Sequence, residues 1–91
     1  MSRIIPPEDF DEYDWRLAES KGYLDDLGVE LDDGRIVAVS FYDPVRLGQD
    51  IESEFSTGSI VVSWKRLLVV QKITPEVLQA AVDDLTVDFF N

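Results

Sequence analysis

The sequence predicts an α+β fold, a small antiparallel sheet of three to four strands with two proline-capped helices packed on it, as a single domain over residues 1–91. Three observations carry this. Asp43-Pro44 and Thr74-Pro75 open two apolar-periodic segments with the same helix-start chemistry, and Asp33-Gly34 separates two runs of strand character. A composition of 45% hydrophobic residues is enough for one core in a chain of 91.

In chain order, residues 1–26 have the least regular pattern. Phe10, Tyr13, Trp15, Leu17, Tyr23 and Leu24 are too hydrophobic for a disordered tail, yet "EDFDEYDW" alternates aromatics with acids in neither a helical nor a strand period. The expectation is a short helix or strand within residues 11–20, joined through Lys21-Gly22 to a hairpin. In "LGVELDDGRIVAVSFY", Leu27, Val29 and Leu31 alternate with polar positions, so the first strand has one wet face. The second strand, Arg35 to Tyr42, is apolar at Ile36, Val37, Ala38, Val39, Phe41 and Tyr42, which suits a central strand covered on both faces.

The first capped helix follows directly. Asp43 can accept from the free first-turn amides, Pro44 sits where its missing N–H costs nothing, and Leu47, Ile51 and Phe55 share one face at i, i+4 and i+8. "SIVVSWKRLLVVQK" is strand-like, broken by Lys65-Arg66, with an irregular first piece and a firm strand expected at Leu67 to Gln71. In the last helix, Thr74 and Pro75 repeat the cap, Val77, Leu78, Ala81, Val82 and Leu85 form the buried stripe, and Gln79, Asp83 and Asp84 lie on the outer face.

The charge is the main functional signal. Nineteen acids against eight bases give a net charge of −11, and the chain has no histidine and no cysteine. The side chains that most often move protons near neutral pH, attack as thiolates or hold transition metals are missing. None of the seven serines has a histidine to activate it, and no nucleophile elbow, phosphate loop or dinucleotide fingerprint occurs. Asp25-Asp26 and Asp32-Asp33 do not keep the spacing of a calcium loop, and Asp32-Asp33-Gly34 reads as turn chemistry. The expectation is a protein without catalytic residues, metal or cofactor. The start lacks the apolar run of a signal peptide and no stretch is long enough to span a bilayer, so a cytoplasmic protein is expected.

The acids are unevenly spread. Residues 1–34 hold eleven acids and three bases, a charge of −8, whereas residues 35–91 hold eight and five, a charge of −3. Such a field steers basic partners and repels nucleic acid and anionic membranes. Interleaved with it are aromatics that offer contact area, so Asp11, Glu12, Asp14, Trp15, Tyr23, Asp25 and Asp26 are the expected partner-binding residues. The competing reading makes the aromatics core and the acids their solvated neighbours.

"GRIVAVSFYDPVRLGQDIESEF" and "LLVVQKITPEVLQAAVDDL" resemble small acidic bacterial immunity proteins of contact-dependent inhibition and polymorphic toxin systems, over roughly residues 27–85. The resemblance implies a cytoplasmic protein that binds and neutralises a cognate toxin domain, frequently a basic nuclease, by blocking its active-site groove. It assigns no binding residue, because such families diverge at their toxin-facing surfaces. The alternative is an acidic adaptor or nucleic-acid mimic that binds another basic protein.

Overall fold

The computed structural model describes residues 2–85 and 89. Strands β1 (Arg3–Ile5), β2 (Tyr23–Glu30), β3 (Ile36–Tyr42) and β4 (Leu67–Val69) form one sheet in that order, with helices α1 (Glu12–Lys21), α2 (Pro44–Ser56) and α3 (Pro75–Asp83). The α+β class stands, with two corrections to its detail. The sheet is mixed, because the chain leaves β3, runs through α2 and returns to lie parallel to β3 as β4. A connection of that length is what parallel neighbours require. Among the described residues there are also three helices, since α1 starts without proline: Asp11 accepts from the Asp14 N–H at 3.0 Å, and the Asp14 carboxylate accepts from the Asp11 N–H at 3.1 Å. This is a capping box built from two aspartates.

The β2–β3 hairpin forms as its turn residues dictate. Gly34 takes a positive φ of 89°, and the Leu31 N–H donates to the Arg35 carbonyl at 2.8 Å. In the same turn, the Arg35 backbone N–H, with its guanidinium alongside, holds the Asp33 carboxyl below its ordinary value. Farther along, Leu24 pairs with Phe41 and Leu27 with Val39, so Asp25 and Asp26 together oppose Ser40 in a bulge. Asp26 accommodates the extra residue in the left-handed region at φ 55°, which aspartate tolerates better than most residues. The bulge resets the alternation, so that Leu24 and Leu27, three apart, both join the core side of the sheet.

That side carries the core. Leu27, Val29, Val39 and Phe41 from the hairpin meet Ala18 of α1 and Leu78 and Val82 of α3, with Ile73 fully buried beside them. Full burial of an aliphatic or phenyl side chain contributes about 1.5–3 kcal/mol. The fourth strand ends at Val69, short of the expected Gln71: the Val70 N–H donates to the Tyr42 carbonyl at 2.9 Å, and the chain then turns to bring Ile73 into the core. Gln79, expected outside, faces β1 instead. Its side-chain oxygen accepts from the Ile4 N–H at 3.0 Å and its amide donates to the Ser2 carbonyl at 2.9 Å. One side chain thereby satisfies backbone groups on the outer edge of β1, an edge otherwise open to strand addition.

The opposite side of the sheet is different. β3 is central, but its second face is covered only near Tyr42, while Ile36 is 62% exposed and Ala38 is exposed. Helix α2 borders this face at the tyrosine end and buries none of its residues.

Candidate partner-binding surface

The acids of residues 1–34 divide by what holds them. Asp11 and Asp14 are engaged in the α1 cap; Glu12 pairs with Arg16 at 3.0 Å, Glu30 with Arg3 at 2.6 Å, and Asp33 with Arg35 at 2.8 Å. Glu8, Asp9, Glu19, Asp25 and Asp26 are exposed and make no ion pair among the described residues. These five, on the approach to α1, on α1 itself and at the bulge, neither cap a helix nor pair with a base.

The seven residues expected to bind a partner flank α1 on two sides. Asp14, Tyr23 and Asp25 line a shallow cavity of about 300 Å³ between α1 and β2, together with Lys21. Asp11, Glu12 and Trp15 line a second cavity of about 420 Å³ between α1 and the start of α3, together with Glu19, Thr74 and Glu76. Asp26 lines neither, and Glu19 and Glu76 join the set without having been singled out in the sequence. The signal for Glu19 was its place on the same short helix; Glu76 comes near only through tertiary packing.

Both aromatics in the set make intramolecular contacts. Trp15 meets the Phe10 ring edge-on at 4.9 Å and packs against the core. Tyr23 stacks on its cross-strand partner Tyr42 at 5.6 Å, and the Arg46 guanidinium sits 4.5 Å over the Tyr23 ring. No family model, curated protein or solved structure matches the chain. The surface is therefore read from its own chemistry.

Tyr42 lies at the centre of a second cluster, which the sequence did not announce. Trp64 stacks on it at 6.0 Å, and the Tyr42 hydroxyl lies near the Asp50 carboxylate, which receives the Arg46 Nε–H at 3.0 Å. Burial, then the nearby Asp25 and Asp50 charges, push the Tyr42 hydroxyl up to about 12. This cluster joins the bulge to α2, and its tyrosine keeps its proton at neutral pH. Among the described residues no group of three or more acidic side chains is placed to hold a metal ion, and no helix is long and apolar enough to cross a membrane. The arrangement can attract and contact a cationic surface.

Proposed function

We propose that the protein is a non-catalytic binding protein that captures a basic protein surface on the acidic side formed by α1 and the β2 bulge. The observation that carries this reading is the set of five exposed, unpaired carboxylates, Glu8, Asp9, Glu19, Asp25 and Asp26, gathered in the part of the chain whose charge is −8. Unpaired surface charge of one sign speeds encounter with an opposite partner and is screened by salt.

The partner class follows from the resemblance to immunity proteins: a basic bacterial toxin domain, a nuclease in the commonest case, met in the cytoplasm and neutralised by covering its active-site groove. A domain with no histidine or cysteine can do this without chemistry, and its field disfavours direct contact with nucleic acid. The test is association kinetics with the protein domain encoded beside this gene. Asp25→Lys combined with Asp26→Asn, the asparagine chosen because it keeps the left-handed backbone, should slow association about tenfold and flatten its salt dependence without altering the melting temperature. Asp83→Lys with Asp84→Lys on α3 is the control. Unchanged association in the bulge variant, or loss only in the α3 control, would refute this placement, and no salt-sensitive binding to that domain would favour the adaptor alternative.

A further inference from the structure

An apolar surface lies outside the acidic side. Among the described residues, seven of the eight large hydrophobics that are exposed fall within residues 36–69, including Ile36, Phe55, Ile60, Val61, Trp64 and Val69. Helix α2 has a clear apolar stripe, Leu47, Ile51 and Phe55, yet none of it is buried, and Phe55 is 50% exposed. In the segment that follows, Ile60 is 96% and Val61 69% exposed. Large exposed apolar patches mark interfaces, and these residues supply the apolar side chains that one would need.

Charge indicates what covers it. Residues 36–69 hold four acids and three bases, a charge of −1 in a chain of −11, so this stretch is where self-repulsion is weakest. Within it the two halves are opposite in sign. Helix α2 holds three acids and one base, whereas residues 57–74 contain no acid and three bases. Glu52 on α2 and Lys65 and Lys72 in the following segment are exposed and make no ion pair among the described residues. Each half therefore carries apolar residues and a charge complementary to the other half, which is what a twofold interface uses when α2 of one copy meets residues 57–72 of the second and the reverse contact repeats it.

We infer that the protein forms a twofold homodimer through α2 and residues 57–72, with the acidic sides left free. The inference stands apart from the proposed function, since it concerns a different surface and is measured on the protein alone. Sedimentation equilibrium of the full chain should move from one 10.4 kDa chain toward two as concentration rises through the micromolar range. Phe55→Asp and Ile60→Asp should each leave a folded monomer, confirmed by circular dichroism. Lys65→Glu and Glu52→Lys should each weaken dimerisation about tenfold, and the two together should restore much of the loss. A folded wild-type chain that stays monomeric throughout, or a dimer indifferent to Phe55→Asp and Ile60→Asp, would overturn the inference. So would a monomer in which Phe55→Asp abolishes capture of the basic domain, because the surface would then belong to that partner.

Discussion

Helices α2 and α3 begin with the same chemistry and end in different environments. Each has an oxygen-bearing cap followed by proline: the Asp43 carboxylate accepts from the Arg46 N–H at 2.8 Å and the Thr74 hydroxyl from the Val77 N–H at 3.3 Å. Each has an apolar stripe. Yet α3 fully buries Leu78 and Val82 against the hairpin, and α2 leaves Leu47 and Ile51 half-buried and Phe55 exposed. Capping fixes where a helix starts, whereas burial depends on what the sheet offers. The core side presents Val29, Val39 and Phe41, and the other side presents Gly28, Ala38 and Ser40 between its tyrosine pair and Ile36. A face of small side chains near α2 leaves the helix little to pack on.

The sharpest way to break this comparison is to place a charge in each stripe. Leu78→Asp should abolish cooperative folding, because an unpaired buried charge costs several kcal/mol against a total stability of roughly 5–15. Phe55→Asp should change the stability of the monomer by no more than about 0.5 kcal/mol. Chemical denaturation of both variants decides it, and equal losses would show that α2 is packed as firmly as α3.

Next in size is Gly22→Ala, which tests how α1 and α2 are joined. Gly22 ends α1 at φ 81°, and a Cβ there would lie 2.7 Å from the Asp43 carboxylate. The left-handed backbone costs about 1–2 kcal/mol and displacing the α2 cap about 1 more, so the melting temperature should drop by roughly 10–20 °C. A drop confined to a few degrees would mean that the cap has moved aside without loss.

A smaller effect is expected from the α3 amide that guards β1. Gln79→Ala removes bonds to two backbone groups, and about 1–3 kcal/mol should be lost, read by thermal melting. Exchange of the Ile4 amide should accelerate more than that of any β3 amide.

The smallest is a pH effect on the α2 side. Because the Tyr42 hydroxyl is raised in the folded protein to about 12 from 10.0, the fold holds that proton more tightly than the unfolded chain. Its contribution is complete below pH 10 and is lost as pH rises from there toward 12. Tyr42→Phe should flatten that alkaline limb in a pH series of denaturation midpoints, and an unaltered slope would assign it to other groups.

How far the sequence could be read follows from the range of each interaction. The hairpin turn, the capped starts of α2 and α3 and the buried stripe of α3 rest on neighbours in the chain, and all were legible. Helix α1 was legible only as a short element of either type, because Asp11 and Asp14 looked like surface charge while serving as its cap. The three-residue β1 has no period to detect, and the parallel placement of β4 depends on pairing Ser40 with Leu67 across the whole of α2. For the candidate surface, composition located the charge, but not its division around α1 or the engagement of Trp15 and Tyr23 with Phe10 and Tyr42.

The junction at Gly22 also governs the order of events in this chain. The Gly22 N–H donates to the Ala18 carbonyl at 2.9 Å, and its own carbonyl receives the Asp43 N–H at 2.8 Å, just beyond the Tyr23–Tyr42 pair at the open end of the hairpin. The bond between Gly22 and Asp43, which ties the end of α1 to the start of α2, thus forms only once the hairpin has zipped along its full length from Asp33-Gly34. Residues 12–56 should accordingly open as one cooperative unit, with a common exchange free energy for the amides near Ala18, Gly22 and Arg46.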